Sequence, residues 1–290
     1  MELTIKIKDN PLKKQEIIFE NNKNKALITK ADSNDSAENI ISTLQLRLSK
    51  PKLIILIFGG ASGNLDTSDT SITILHQILD DVLQYAADND AIIIDGGTKS
   101  GIMEIVGQRA SKIEQSKKPI ILGVAPAGLI SLINSTKQED NYKNEGDNDR
   151  ENDKVLLDPN HSHFVLVERD KWGDETIKLF EIASSLSTND IPIVALLAGG
   201  GRISKKEILF CINQNWPVIV IEKTGYLADE IASYKNQKQT FEKISLDANN
   251  IKKIISYSSL KLFPSDSNQI KSFEQFLLYA LNYDPLLESV

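Results

Sequence analysis

Ile92-Ile93-Ile94-Asp95-Gly96-Gly97-Thr98-Lys99-Ser100-Gly101-Ile102-Met103 is the stretch of sequence that decides the fold. A β-branched apolar run ends at Asp95, turns on two glycines and continues after Gly101 as an amphipathic helix. A strand, a tight turn and a helix N-terminus in this order expose backbone N–H groups and the positive end of a helix dipole, which together suit a phosphate. The stretch therefore predicts a phosphate-binding turn at the end of a buried strand.

The same order of elements occurs twice more. Residues 55–58 precede Gly59-Gly60-Ala61-Ser62-Gly63, and residues 195–198 precede Gly199-Gly200-Gly201-Arg202-Ile203-Ser204. Strand and helix patterns alternate from residue 52 onward, and the continuous apolar strands are typical of a parallel sheet buried on both faces. Ligands of such sheets bind at the carboxyl ends of the strands, where all three glycine turns fall. We predict an α/β fold with a Rossmann-like, doubly wound, mostly parallel sheet and helices on both faces.

The segments on either side of this pattern differ in character. Residues 1–50 contain short strand-like runs (3–8, 16–20 and 25–28) and a helix with Ser36 as its N-cap, which predicts a small β-rich N-terminal cap. Residues 51–240 form the predicted binding domain, and the polar residues 134–155 within it are expected to be a flexible loop. Residues 241–290 are expected to be a helical extension packed on the same domain, with an edge strand at 241–246 and helices at 248–260 and 269–281.

Composition excludes several classes of function. The formal net charge of −7 disfavours nucleic acid as the main partner. No apolar run approaches the roughly 20 residues that span a bilayer, so we expect no membrane insertion and a cytoplasmic protein. Cys211 is the only cysteine of the 290 residues, which excludes an internal disulfide and agrees with a reducing compartment. Its apolar neighbours predict a buried thiol.

The third glycine turn is followed by side chains that could carry chemistry. Ser204 and Glu207 are three residues apart, which fits a capping box at a helix N-terminus. In the functional alternative, Arg202 faces a phosphate and Glu207 faces a ribose hydroxyl. Both interpretations are open from the residues alone.

The two histidines of the central region form a second group. His161 and His163 are two residues apart, so on a strand they would share one face. Two imidazoles without a third ligand nearby seldom hold a metal, so we expect hydrogen-bonded histidines at the mouth of a strand and no metal site. No Ser-His-Asp or Cys-His arrangement indicates nucleophilic catalysis.

A set of motifs between about residues 50 and 235 resembles a known family. In chain order the motifs are Gly59-Gly60-Ala61, Gly96-Gly97-Thr98-Lys99-Ser100-Gly101, Leu122-Gly123-Val124-Ala125-Pro126, Asp158-Pro159-Asn160-His161-Ser162-His163-Phe164, Trp172-Gly173-Asp174-Glu175, Gly199-Gly200-Gly201 and Ala228-Asp229. They resemble the SLOG superfamily, in the branch shared by prokaryotic proteins and the N-terminal cytosolic region of melastatin-type TRP channels. The histidine-bearing stretch is the most specific of them.

The resemblance implies a Rossmann-like domain that binds a nucleotide or an NAD-derived ligand of the ADP-ribose or cyclic ADP-ribose type. Such domains often act as sensors in signalling or antiphage systems, and we expect this chain to require no cofactor besides that ligand. The resemblance also implies a homo-oligomer, a dimer or higher, and a separate effector protein as partners. More distant relatives, the cytokinin-activating phosphoribohydrolases, carry a PGGxGTxxE motif that is similar to residues 199–207.

The match to that enzyme motif is partial. Gly200, Gly201 and Glu207 agree with it and Ser204 stands for its Thr, but Gly199 replaces the Pro and Ile203 replaces the third Gly. A nucleotide N-glycosidase with Glu207 as its acid or base is therefore the first alternative to a sensor. A protein-interaction module without a ligand is the second.

Residues and resemblance together define the predicted site. Phosphates should lie on the first two glycine turns, with Arg202, Glu207 and Asp229 around ribose or a second phosphate. We expect Gly97→Asp to abolish binding without disturbing the fold. The predicted ligand-binding residues are Gly59, Gly60, Ala61, Ser62, Gly96, Gly97, Thr98, Lys99, Ser100, Gly101, His161, His163, Gly200, Gly201, Arg202, Ser204, Glu207, Gly225, Ala228 and Asp229.

Overall fold

The computed structural model describes residues 12–19, 24–61, 65–66, 68–131, 154–187, 191–236, 248–263 and 273–281. Within these ranges the strands are β1 (Gln15–Ile18), β2 (Lys25–Ala31), β3 (Leu53–Gly59), β4 (Ala91–Asp95), β5 (Ile120–Pro126), β6 (Ile130–Ser131), β7 (Val155–Leu156), β8 (His163–Val167), β9 (Ile193–Ala198), β10 (Val218–Ile221) and β11 (Leu260–Phe263). The helices are α1 (Ala37–Leu44), α2 (Asp69–Asp88), α3 (Gly101–Ala110), α4 (Thr176–Leu186), α5 (Arg202–Asn213), α6 (Tyr226–Lys235), α7 (Ala248–Ser256) and α8 (Phe273–Ala280).

One sheet of the described residues organises the chain, with the strand order β1-β2-β8-β5-β4-β3-β9-β10-β11. Its neighbouring strands are parallel, apart from the antiparallel pair β1 and β2. The run β5-β4-β3-β9-β10-β11 has the 3-2-1-4-5-6 order of doubly wound nucleotide-binding folds. The chain leaves β3 toward β4 on one side, whereas β9 lies on the other side. The order therefore reverses between β3 and β9, and the predicted fold class is confirmed.

Helices cover both faces of the sheet because the strand residues alternate between two cores. Ile54, Leu56 and Phe58 of β3 pack toward α1, α4, α5, α6 and α7. Leu53 and its alternate neighbours Ile55 and Ile57 pack toward α2, α3 and α8. None of the described helices is both long and apolar enough to cross a membrane.

The N-terminal segment continues the same sheet. β2 pairs with β8 in parallel, with Leu27 opposite His163, and β1 forms the edge beside it. Ser36 is the N-cap of α1, and its side chain accepts a hydrogen bond from the Asn39 N–H, as predicted. The predicted strand at 3–8 lies outside the described residues, as does the predicted polar loop except for residues 154 and 155.

The C-terminal segment corrects one sequence prediction. The helix expected over 248–260 ends at Ser256, and Leu260–Phe263 forms β11, parallel to β10. Four residues are too few to show a strand period, so the pairing with Val218–Ile221 decides their conformation. The predicted strand at 241–246 lies outside the described residues, and the last predicted helix is observed as α8.

Phe263→Ala tests whether β11 is an integral part of the sheet. The Phe263 side chain is buried and packs edge-on against Phe276 of α8 at 4.7 Å between ring centroids. Its truncation is expected to lower the free energy of unfolding by roughly 3–5 kcal/mol in urea denaturation, because it leaves a cavity. Leu48→Ala, at a side chain that is 75% exposed, is the control and should change stability by less than about 0.5 kcal/mol. If both substitutions change the free energy of unfolding equally, the assignment of β11 as an integral strand of the sheet is wrong.

Candidate functional site

The glycine turns after β3, β4 and β9 meet at the carboxyl edge of the sheet. The Gly60 N–H donates to the Ala198 carbonyl at 3.1 Å, which joins the ends of β3 and β9. The Gly60 carbonyl accepts from the Ile102 N–H at 3.0 Å, which joins the same turn to the first residues of α3. The expectation that these turns share one edge is confirmed. They surround the point at which the strand order reverses, where doubly wound folds bind their ligands.

The Gly96–Gly101 turn uses three of its six N–H groups inside the protein. Gly97 N–H donates to Asp95 Oδ1 at 2.7 Å, Lys99 N–H to the Leu156 carbonyl at 2.8 Å, and Ser100 N–H to the Thr98 carbonyl at 2.8 Å. The prediction that this turn presents free N–H groups is therefore wrong for these three. Thr98 is buried, and Ser100 occupies the N-cap of α3 without a side-chain capping bond. The Lys99 side chain is exposed and Gly96 is half-buried.

The Gly199–Gly201 turn is held from one side by the β10–α6 segment. The Gly199 carbonyl accepts from the Ala228 N–H at 3.0 Å, and the Gly200 carbonyl accepts from the Leu227 N–H at 3.2 Å. In a planar trans peptide the N–H points opposite to the carbonyl, so the N–H groups of Gly200 and Gly201 both point away from α6. Neither donates to any acceptor in the described part of the chain. Two successive N–H groups on the same side of the chain suit an anion.

The start of α5 extends this set of donors. The N-cap of α5 is Gly201, which provides no side-chain capping bond, and Arg202 is the first helical residue, with an exposed side chain. The N–H groups of Arg202 and Ile203 have no intrahelical acceptor and no acceptor among the other described residues. The positive end of a 12-residue helix therefore lies beside the two glycine N–H groups.

Ser204 and Glu207 do not form a capping box. Ser204 lies inside α5, and its hydroxyl donates to the Gly59 carbonyl at 3.2 Å, which links α5 to the end of β3. Glu207 is 9% exposed, and burial, followed by the charge of Glu175, raises its pKa to about 8. Burial also raises the pKa of Glu175, the N-cap residue of α4, to about 7. The capping interpretation is wrong because the N-cap of α5 is Gly201, three residues before Ser204.

His161 lies in a closed network below the Gly96–Gly101 turn. Its Nε2 lies 2.9 Å from Asp95 Oδ1 and its Nδ1 lies 3.1 Å from Asp158 Oδ1, with the imidazole fully buried. Burial opposes the charge, but the two carboxylates raise the pKa of His161 to about 10, so the ring is an imidazolium at neutral pH. Asp158 also receives the N–H of Asn160, and its own N–H donates to the Gly97 carbonyl. The network holds the turn in place, and His161 has no exposed surface for a ligand.

His163 differs from His161 in position and charge. It is the first residue of β8, whereas His161 precedes the strand, so the expectation that both share a strand face is wrong. His163 Nδ1 lies 2.9 Å from the Ser162 hydroxyl, and burial, with a contribution from Lys14, lowers its pKa to about 4. That both histidines are hydrogen-bonded is confirmed. The described residues contain no group of three or more side chains that could hold a metal.

The other predicted site residues that the structure describes lie along the same edge. Gly225 is the N-cap of α6, Ala228 is buried and donates its N–H to the turn, and Ala61 is exposed. Asp229, in the first turn of α6, has a buried Oδ1 without a partner among the described residues. Ser62 lies outside the described residues.

Sequence reasoning missed four residues of this edge. Thr224 bonds the Gly199 N–H, Glu175 faces Glu207, and Asp95 with Asp158 holds His161. Asp158-Pro159-Asn160 has the composition of an Asx turn, which was a readable local signal. The roles of Thr224 and Glu175 depend on contacts between segments that are far apart in sequence, and no local pattern indicates them. Cys211 is fully buried, as expected.

Comparison with known proteins agrees with this fold. Residues 52–270 match the family described as SLOG in TRPM, prokaryote. Similar proteins include transient receptor potential cation channel subfamily M member 2 of Mus musculus (28% identical) and of Rattus norvegicus (29%), and member-like 2 of Nematostella vectensis (25%). Each match covers 69% of this chain and 14% of the channel. Because the family match spans most of the chain, the protein belongs to the SLOG family of the TRPM type.

Gly97→Ala and Gly96→Ala are a matched pair that tests the turn. Gly97 has a φ of +65°, and a Cβ there would lie 2.6 Å from Gly123 Cα and 3.1 Å from the Phe164 ring. We expect Gly97→Ala to cost roughly 2–4 kcal/mol of unfolding free energy, from backbone strain and overpacking. A Cβ at Gly96 meets only Met103 at 3.7 Å, so Gly96→Ala should cost less than about 1 kcal/mol. The same close contacts would make Gly97→Asp disturb the fold, so the prediction that this variant folds normally and only loses binding is wrong. Urea denaturation measures the stability of both alanine variants. A Gly97→Ala variant as stable as wild type would contradict this geometry.

Glu207→Gln tests the buried carboxyl through the pH dependence of stability. The folded pKa of about 8 exceeds the ordinary value of 4.5, so the folded state holds a proton that the unfolded state releases. Stability should therefore fall as the pH rises from about 4.5 to 8, and Glu207→Gln should reduce that fall by roughly 2–4 kcal/mol between pH 5.5 and 8.5. The folded pKa of His161 is also raised, to about 10, so the variant should still lose some stability as the pH rises above 6.5. Urea denaturation across this pH range measures the effect, and Glu230→Gln, at an exposed position, is the control. If the free energy of unfolding of Glu207→Gln depends on pH as strongly as that of wild type, Glu207 is not a buried, protonated carboxyl.

Proposed function

We propose that this member of the SLOG family binds a nucleotide or NAD-derived ligand of the ADP-ribose type, as the ligand-binding part of a signalling sensor. The ligand's phosphates would contact the N–H groups of Gly200, Gly201 and Arg202. The observation that carries the proposal is the pair of parallel glycine N–H groups at the open start of α5, at the reversal of strand order. A pyrophosphate fits this arrangement because it is anionic and offers several acceptor oxygens.

Charge at the start of α5 supports an anionic ligand. Arg202 has an exposed guanidinium with no hydrogen bond or ion pair to the described residues, so it is available to a phosphate. The exposed Lys99 lies on the turn after β4, which β3 separates from β9, and adds a second cation to the same edge of the sheet. The chain as a whole carries a net charge of −7, so attraction of an anion must come from local groups of this kind.

A ribose hydroxyl is the natural partner for Asp229. Its buried Oδ1 accepts no hydrogen bond from the described residues, and an unsatisfied carboxylate oxygen in such a place is costly without a donor. A ligand hydroxyl would supply that donor. Gly225, the N-cap of α6, precedes Asp229 by four residues and leaves this helix start without a side-chain cap as well.

The family resemblance supports the role as a sensor. The similar proteins are named as cation channels, each matched over 14% of its length, and a separate effector protein is the partner that the resemblance implies. We propose a cytoplasmic homo-oligomer that reports ligand binding to such a partner.

Hydrolysis of an N-glycosidic bond is the second candidate function. The observation that favours it is the raised pKa of Glu207, because a carboxyl that stays protonated at neutral pH can act as a general acid. Glu207 is 9% exposed, so the acid would need a path to the ligand that the closed arrangement with Glu175 does not offer. Chromatography of the recovered ligand separates the candidates: an intact ligand supports the sensor, and a released base supports the enzyme.

Arg202→Ala tests the proposed site by calorimetric titration with ADP-ribose, cyclic ADP-ribose, NAD, AMP and ATP. Loss of one charge-assisted phosphate contact is expected to weaken binding by about 10-fold or more, since such bonds contribute roughly 1.5–3 kcal/mol. Lys206→Ala removes the same charge from an exposed position further along α5 and is the matched control. It should change the dissociation constant by less than about twofold.

Two results would overturn the proposal. Equal weakening by both substitutions would mean that only the overall charge of α5 matters. Wild-type protein that gives no heat with any of the five compounds would leave the interaction module without a ligand as the function.

A further inference from the structure

We propose that Thr224, a buried residue of the β10–α6 loop, is the positioning residue that sets the direction of the phosphate-binding N–H groups at Gly200 and Gly201. The inference rests on the proposed function. Thr224 is 1% exposed, so it does not contact a ligand and acts only through the turn that it holds.

The hydroxyl of Thr224 has a defined direction. It donates to the Ile221 carbonyl at 2.7 Å, at the end of β10, and accepts from the Gly199 N–H at 2.8 Å. Because its proton is committed to Ile221, a lone pair faces Gly199. The hydroxyl thus connects the ends of two adjacent parallel strands, β9 and β10, at the position where the turn begins.

The same segment holds the turn by its carbonyl groups. The Ala228 N–H binds the Gly199 carbonyl and the Leu227 N–H binds the Gly200 carbonyl. With Thr224 these make three consecutive contacts, to one N–H and two carbonyls, all from the residues between β10 and the first turn of α6. The Gly199–Gly200 and Gly200–Gly201 peptide planes are therefore both oriented from the α6 side. The N–H groups that remain point away from it.

The hydroxyl also decides which N–H groups are available. Without an acceptor at Thr224, the buried Gly199 N–H would be unsatisfied, and the turn would rotate to satisfy it. Such a rotation changes the plane that precedes the two binding N–H groups, both of which belong to glycines with few steric restraints. The loop is attached elsewhere by main-chain contact, since the Thr224 carbonyl accepts from the Asp66 N–H at 2.9 Å, and that bond does not depend on the side chain.

Thr224→Val and Thr224→Ser separate the hydroxyl from the shape of the side chain. Valine keeps the shape and removes both hydrogen bonds, whereas serine keeps the hydroxyl. With ADP-ribose and inorganic pyrophosphate as probes, we expect Thr224→Val to raise the dissociation constant about tenfold and Thr224→Ser to stay within about twofold of wild type. Thr29→Val is the matched control, because Thr29 is also 1% exposed and its hydroxyl donates to the Lys13 carbonyl. Thr29 lies on β2, which is far along the sheet from β9.

A purely structural role would give a different result. All titrations are made at least 15 degrees below each variant's melting temperature, so that a loss of stability alone leaves the dissociation constant unchanged. The backbone amide NMR signals of Gly200 and Gly201, without ligand, should shift in Thr224→Val and remain near wild type in Thr224→Ser. If Thr224→Val binds both probes as tightly as wild type, or Thr224→Ser binds as weakly as Thr224→Val, the positioning role is wrong. Wild-type protein that gives no heat with pyrophosphate or with any of the five nucleotides would overturn the proposed function, and this inference with it.

Discussion

Contact between backbones at the carboxyl edge of the sheet is the constraint on which the site depends. Gly101 begins α3 with a φ of +55°, and a Cβ there would lie 2.0 Å from the Gly60 carbonyl oxygen. The turn after β3 can therefore touch both the start of α3 and the end of β9. Side chains would separate these segments by several ångströms, and the turns would no longer form one continuous surface at the reversal of strand order. The glycines of this edge are needed first for packing, and ligand contact is a consequence of that packing.

Buried ionisable groups at this edge are stabilised in two different ways. The His161 imidazolium is compensated by two carboxylates at hydrogen-bond distance, and it connects the end of β4 with the loop that precedes β8. Such an ion pair is costly to desolvate, so its value lies in the single arrangement that it allows for the Gly96–Gly101 turn. No cation among the described residues pairs with Glu175 or Glu207, and burial raises their pKa values to about 7 and about 8, so Glu207 retains its proton at neutral pH. The His161 network is structural, whereas the Glu175 and Glu207 carboxyls make the region between α4 and α5 sensitive to pH.

The family assignment and the geometry lead to the same edge by different routes. Membership in the SLOG family of the TRPM type rests on residues 52–270, a range that includes all three glycine turns. The geometry then distinguishes among the glycine turns. The turn after β4 donates the N–H groups of Gly97, Lys99 and Ser100 to internal acceptors, whereas the turn after β9 leaves those of Gly200 and Gly201 pointing away from α6. The proposed phosphate contacts therefore centre on the third turn, near Arg202, where the sequence predicted ribose or a second phosphate.

The sequence by itself determined the fold class, the alternation of strands and helices, and the edge at which the glycine turns would meet. These features follow from local signals, because apolar runs, helical spacing and glycines act within a few residues of one another. Only the tertiary structure decided the strand character of Leu260–Phe263, the closed surroundings of His161, and the separation of Ser204 and Glu207 from a capping role. It also decided which N–H groups stay available, since the acceptors of Gly97, Lys99 and Gly199 are Asp95, Leu156 and Thr224. Two of these acceptors are 25 or more residues away from their donors, and a hydrogen-bond partner at that distance is selected by the packing of the whole sheet and not by the local chain.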